Sequence, residues 1–189
     1  MAMRMRITFL IALLLFSSIK AGASDLAFSG QDLLTSKTLT YGKDLKKPLV
    51  VVFLSAACPC SDSHVQELKS LAKDFAQFDF VAIHSNVDEP VDRAKIYFSK
   101  VALPFSVLQD ENAKLANQFG AFKTPHSFVI KANGEIIFRG GVSSSHQFEL
   151  AEHKYLREAL SDVAANRAVR TPEARTLGCV ISRGGKNVW

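Results

Sequence analysis

Apolar and polar positions divide the chain into alternating strand-like and helix-like stretches. Residues 48–55 (Pro-Leu-Val-Val-Val-Phe-Leu-Ser) form a continuous apolar, β-branched run, the pattern of a central strand buried on both faces. Val65, Leu68, Leu71, Ala72 and Phe75 then recur at helical spacing, with Ser61 and Asp62 expected as start signals and acceptors for the first amides. The pattern predicts a second apolar strand over 78–84, a helix over 91–100, a short strand over 105–108, and a helix over 111–119 stopped by Gly120. Residues 127–130 and 135–138 flank Asn133-Gly134, a strong hairpin signal. Phe148, Ala151, Tyr155, Ala159, Leu160 and Val163 predict a closing amphipathic helix. This order predicts an α/β fold whose sheet carries helices on both faces. From Asn166 onward the pattern gives way to a polar, glycine-containing stretch, read as an extended arm.

The N-terminus follows a different logic. Residues 1–6 are basic through Arg4 and Arg6, residues 7–16 are almost unbroken apolar, and Ala21-Gly22-Ala23 supplies the small residues a signal peptidase reads. The apolar run is short of the roughly 20 residues that span a bilayer. No cysteine follows it to mark a lipoprotein. The expected organisation is therefore a cleaved signal peptide over 1–23, a single domain over 24–165, and a basic C-terminal arm over 166–189. The expected location is secreted or periplasmic, with no stable membrane insertion after cleavage.

Composition fits one globular domain: 189 residues, 48% apolar and 22% charged, which excludes bulk disorder and fibrous classes. The formal charge of +5 first suggests an anionic partner. Its distribution removes that suggestion. Arg4, Arg6 and Lys20 leave with the signal, and Arg167, Arg170, Arg175, Arg183 and Lys186 sit in the arm against Glu173. The body is left mildly acidic, so nucleic acid is not an expected partner.

The chemistry centres on Cys58. It lies where the buried strand ends and a helix begins, and the unpaired amides there favour a thiolate. Pro59 and Cys60 follow it directly, and Cys179, the third thiol, lies in the arm. An arm cysteine has three open roles: resolving Cys58 or pairing with Cys60, pinning the arm, or bridging to another chain.

Strand, Cys-Pro turn, helix, and Thr124-Pro125 before a hairpin strand together resemble the thioredoxin-like superfamily. More narrowly, the chain is similar to exported redoxins of the peroxiredoxin-like (alkyl hydroperoxide reductase/thiol-specific antioxidant) group. Tyr155-Leu156-Arg157-Glu158-Ala159-Leu160 and Gly178-Cys179-Val180-Ile181 resemble the ending of some such redoxins. The resemblance implies a thioredoxin-like central mixed sheet flanked by helices on both faces, with an extended C-terminal arm. It also implies a cis bond at Thr124-Pro125 beside Cys58, leaving an open edge for a substrate's disulfide or extended chain. The chain departs from the thioredoxin pattern at Ser61, Val52 and Ala57, which stand where a resolving cysteine, a buried acid and a tryptophan are usual. It departs from the peroxidase pattern at Ser55 and Val51, which stand for a threonine and a proline, and Lys123 offers no peroxide-orienting arginine.

The function expected is exported thiol–disulfide oxidoreduction. Cys58 is the nucleophile, Cys60 or Cys179 resolves, Thr124 and Pro125 bind substrate, and His64 and His126 are candidates for proton transfer or thiolate stabilisation. The partners are a protein or small-molecule thiol or disulfide and an upstream reductant or oxidant, with no organic cofactor. The first alternative is a peroxiredoxin-like thiol peroxidase. The second is a copper(I)-binding metallochaperone using Cys58, Cys60, His64 and His126, since soft sulfur with nitrogen suits copper(I) or zinc. His84 is expected near the active rim, and His146 and His153 are expected to be solvated.

Overall fold

A computed structural model of the protein describes residues 26–42 and 45–184, so the signal-peptide reading of 1–23 lies outside the described residues. The run of β-branched residues becomes β3 (Leu49–Leu54), with all six residues buried. It pairs in parallel with β4 (Asp79–His84), and β4 pairs in parallel with β5 (Val107–Gln109). On its other side β3 meets β7 (His126–Ile130) antiparallel, and β7 meets β8 (Ile136–Gly140) through the Asn133-Gly134 turn. The mixed sheet has the order β2-β1-β5-β4-β3-β7-β8. Its far edge is a hairpin of β1 (Phe28–Asp32) and β2 (Thr38–Tyr41), two strands with no continuous apolar run to mark them in the sequence.

Strand side chains alternate between two cores. Val50, Val52 and Leu54 face Leu68, Leu71, Phe98, Leu156 and Leu160. These come from α2 (Val65–Asp74), α3 (Val91–Val101) and α5 (Tyr155–Ala164). Val51 and Phe53 face Leu115, Ala116 and Phe119 of α4 (Lys114–Phe119) on the opposite side. Helices therefore cover both faces, in a thioredoxin-like arrangement. Each buried aliphatic or aromatic side chain contributes about 1.5–3 kcal/mol, so these layers outweigh any surface ion pair at about 0–1 kcal/mol.

Polar links hold the helices in register. Arg157 of α5 forks onto Glu67 of α2 through Nε–Oε1 at 2.6 Å and Nη2–Oε2 at 3.1 Å, and its Nη1 reaches Asp74 at 2.9 Å. The Tyr97 hydroxyl of α3 donates to Asp62 at 2.9 Å, tying α3 to the turn after β3.

The arm is extended and also docked. Arg139 N–H donates to the Pro172 carbonyl, and Ala174 N–H donates back to Arg139, so the chain runs along β8. It comes so close to Gly140 that a Cβ there would lie 2.7 Å from Ala174. Arg167 and Arg170 converge on the buried Asp162, whose carboxyl they hold down at about 2, with Arg170 the larger influence. Further on, β9 (Cys179–Val180) pairs antiparallel with β6 (Lys123–Thr124). Ile181 is 1% exposed among Leu49, Phe53 and Phe128. Apolar anchoring of a polar stretch explains why periodicity did not reveal this docking.

Candidate active site

The chain leaves β3 at Leu54 and enters α1 (Pro59–Ser63) with Cys58 as its N-cap residue in extended conformation, φ −89° and ψ 114°. Pro59 opens the helix, where its missing N–H costs nothing. Ser61 and Asp62 were expected to cap this helix, and neither does. The helix starts two residues earlier, the Ser61 hydroxyl accepts from Ser55 N–H at 3.2 Å, and Asp62 accepts from Tyr97. The predicted helix is also interrupted at His64, which separates α1 from α2.

The Thr124-Pro125 bond is cis. Cys58 is 3% exposed, and its thiol donates to the Thr124 carbonyl at 3.3 Å. The open edge expected there is filled by the chain itself. Thr124 pairs with Cys179 and Lys123 with Val180, which satisfies backbone groups that β6 would otherwise leave bare. Gly178 makes this approach sterically feasible: its φ is +147°, and a Cβ at that position would lie 1.9 Å from the Thr124 carbonyl oxygen.

The pairing brings the three thiols together. The Sγ atoms of Cys58, Cys60 and Cys179 lie within 4.8 Å of one another, and all three are reduced. Burial pushes the Cys58 thiol up. Hydrogen bonds led by the Cys179 thiol, with the Ser61 and Cys179 amides, outweigh it and bring Cys58 down to about 7. Cys179 moves the other way, to about 12, through burial and the proton it shares with Cys58. Cys60 is raised by burial and by the Cys58 charge. Cys58 is thus the first of the three thiols to ionise.

The histidines do not join this group. His64 is buried, with Nδ1 donating to the Cys60 carbonyl and Nε2 accepting from the Ser143 hydroxyl, both at 2.7 Å. Burial lowers its basicity, in keeping with a neutral ring. His126 stacks on Phe128 at 4.6 Å and makes no hydrogen bond through Nδ1. Burial and the Arg139 charge bring it down to about 4. The copper set of Cys58, Cys60, His64 and His126 is therefore not assembled, because both rings belong to neighbouring packing. His146 and His153 are exposed, and His84 is fully buried beneath the site.

Glu89 is the site residue that sequence reasoning missed. Its carboxylate accepts from Ala56 N–H at 2.9 Å, Ala57 N–H at 3.3 Å and His84 Nε2 at 2.9 Å, and it also receives the Ser55 hydroxyl. Burial raises the carboxyl, but His84, Ser55 and Asn86 together bring it down to about 2. The acid holds the backbone that leads into Cys58, from a side where Val52 offers nothing. An available signal was its position in Asp88-Glu89-Pro90, just past the carboxyl end of a parallel strand. A cleft of about 310 Å³ opens here, lined by Cys58, Glu89, Arg93, Cys179 and Val180 among others. A larger one of about 640 Å³ between β8 and the arm contains no thiol or histidine.

The sequence pattern of the AhpC/TSA family matches residues 22–139. The thiol:disulfide interchange protein CycY of Rhizobium leguminosarum bv. viciae is 35% identical over 95 residues, covering 50% of this chain and 49% of that protein. The chain thus matches about half the length of this curated relative. A hypothetical protein of Sinorhizobium meliloti 1021 has a similar structure, with TM-score 0.76, 24% identity, and coverage of 89% of this chain and 97% of that one. A secreted disulfide oxidoreductase of Mycobacterium tuberculosis shares the fold at TM-score 0.52 and 21% identity, over 58% of this chain and 79% of its own.

Proposed function

The chain belongs to the AhpC/TSA family, and on that premise we propose that it is an exported thiol–disulfide oxidoreductase in which Cys58 attacks and Cys179 resolves. One observation carries the reading: three sulfurs within 4.8 Å at the start of a helix, beside a cis-proline, with Cys58 the most acidic of them. The interchange activity in the name of the Rhizobium relative supports the same chemistry.

The Cys58 thiolate attacks one sulfur of a substrate disulfide. A Cys58–substrate bond forms, the substrate S–S bond breaks, and the other substrate sulfur leaves as a thiolate that takes a proton. Cys179, losing its proton, then attacks Cys58 Sγ. The Cys58–Cys179 disulfide forms and the second substrate thiolate is released. The substrate gains two electrons and the protein loses them, and an external dithiol restores the protein. The same steps in reverse oxidise a substrate dithiol, with direction set by the partner's potential. Cys179 is favoured over Cys60 because a disulfide between residues two apart is strained.

Thr124 and Pro125 form the edge on which β9 rests, so a small disulfide reaches Cys58 through the Glu89–Arg93 cleft and an extended chain has to displace the arm. His64 and His126 act at a distance, by packing. Residues 1–23 act as the export signal, 24–165 as the catalytic body and 166–189 as the arm that delivers Cys179. Among the described residues no helix is long and apolar enough to cross a membrane.

The test uses the reduced protein beginning at Ser24. It should reduce insulin or a small aromatic disulfide when supplied with dithiothreitol, and Cys58→Ser should abolish this. Cys179→Ser should trap substrate on Cys58 as a mixed disulfide detectable by mass spectrometry. Turnover by Cys58→Ser at the wild-type rate would overturn the reading, and rapid oxidation of Cys58 by peroxide without disulfide exchange would move it to thiol peroxidase.

A further inference from the structure

We propose that the reduced cluster of Cys58, Cys60 and Cys179 is also a copper(I) site that holds the ion in a plane of three thiolates. The ligands come from two remote parts of the chain, the start of α1 and β9, and converge with all three sulfurs within 4.8 Å of one another. With metal–sulfur bonds of about 2.3 Å, a planar three-sulfur site separates its sulfurs by about 4.0 Å, so closing on an ion takes a movement of the order of an ångström.

The donor set selects the metal. Thiolates are soft and suit copper(I), zinc and iron–sulfur clusters, and a structural zinc site calls for four ligands in a tetrahedron. No histidine or carboxylate joins the three sulfurs among the described residues. His64 is committed to Ser143 and to the Cys60 carbonyl. Glu89 is committed to two backbone amides, Ser55 and His84. Cys58 is 3% exposed, which limits the access of water as a further ligand. A soft ion content with three ligands fits this geometry, and a fourth protein ligand for zinc is missing.

Binding requires no redox step. Copper(I) enters, three S–Cu bonds form, and the protons still on the thiols leave to solvent. Metal and disulfide exclude each other because they use the same sulfurs. The proposal does not rest on disulfide exchange, and it is tested on reduced protein with no disulfide substrate present, so either reading can fail alone.

The experiment titrates the reduced protein, from Ser24 onward, with copper(I) under anaerobic conditions against a chromogenic bidentate chelator, with X-ray absorption as the second readout. One ion per chain and three sulfur neighbours without nitrogen are expected. Cys179→Ser should reduce the sulfur count to two and lower affinity roughly a hundredfold or more. Cys60→Ser, which leaves the arm untouched, should do the same and guards against a Cys179 variant that merely undocks. His64→Gln and His126→Asn should leave both readouts unchanged. Two sulfurs in the wild-type site, nitrogen ligation, affinity within a fewfold of wild type in Cys179→Ser and Cys60→Ser, or tighter four-coordinate zinc binding would each overturn the proposal.

Discussion

Thr124 and Cys179 are register partners in a two-residue antiparallel ladder, and this pairing suspends the Cys179 sulfur over Cys58. The ladder is short, but each of its consequences for the thiols can be measured.

The reactivity of Cys58 should titrate with a midpoint of about 7, since the Cys179 thiol and two amides offset the effect of burial. Removing the Cys179 donor in Cys179→Ser should shift the midpoint upward, toward the ordinary thiol range of about 8.5. Iodoacetamide alkylation rates between pH 5 and 10, with the modified peptide identified by mass spectrometry, check both values. A midpoint unchanged in the variant would remove Cys179 from the activation of Cys58.

Gly178→Ala should break the ladder without disturbing the body. The added Cβ meets the Thr124 carbonyl oxygen at 1.9 Å, and the φ of +147° is one that alanine rarely adopts. Formation of the Cys58–Cys179 disulfide under mild oxidation should slow by roughly tenfold or more, because the effective concentration of the arm thiol falls. The near-UV spectrum and melting temperature should stay close to wild type.

Ile181→Ala tests how the arm is anchored. Truncating a buried isoleucine costs about 2–5 kcal/mol where the surroundings cannot collapse. Here the arm has a cheaper response, which is to lift off while the sheet stays folded. At about pH 9.5, where Cys58 is ionised with or without its Cys179 donor, the variant should show Cys58 alkylated roughly tenfold faster, with a drop of only a few degrees in melting temperature. Global unfolding at the wild-type denaturant midpoint with unchanged alkylation would contradict this.

Glu89 should make stability depend on acid. Its carboxyl titrates at about 2 in the folded chain against an ordinary value of 4.5. Because the folded value is depressed, its contribution is complete above the ordinary value and is lost as pH falls through the window down to about 2. The shift corresponds to about 3 kcal/mol as an upper bound. Urea unfolding at pH 6 and pH 3 should show wild type losing more stability than Glu89→Gln over that interval, with the other carboxylates common to both. Equal losses would assign Glu89 no such role.

How much of this was legible in the sequence depended on the range of the interactions. β3 and the helices announce themselves through local periodicity, and Cys58 is marked by standing at their junction. The cis bond at Thr124-Pro125 is implied by the resemblance to the thioredoxin-like superfamily and agrees with the proline's place before a strand. The N-terminal hairpin was harder, since Phe28–Asp32 buries only its end residues and carries a glycine at its centre. The placement of Cys179 and Glu89 could not be read. Each depends on a segment returning to the Cys58 turn from elsewhere in the chain, through backbone pairing or backbone amides that any side-chain pattern would permit. The histidines misled for the complementary reason: helical spacing put His64 one turn from Cys60, but its ring turned toward Ser143.

Because its third thiol lies in β9, the cluster is complete only when the arm has docked on β6. Cys58 and Cys60 are placed by the β3–α1 junction and need no arm, whereas Cys179 is placed by the arm alone. Until the arm docks, Cys58 lacks both the donor that acidifies it and the strand that covers it. Docking of the arm is therefore a gate on the acidity of a thiol that belongs to the body.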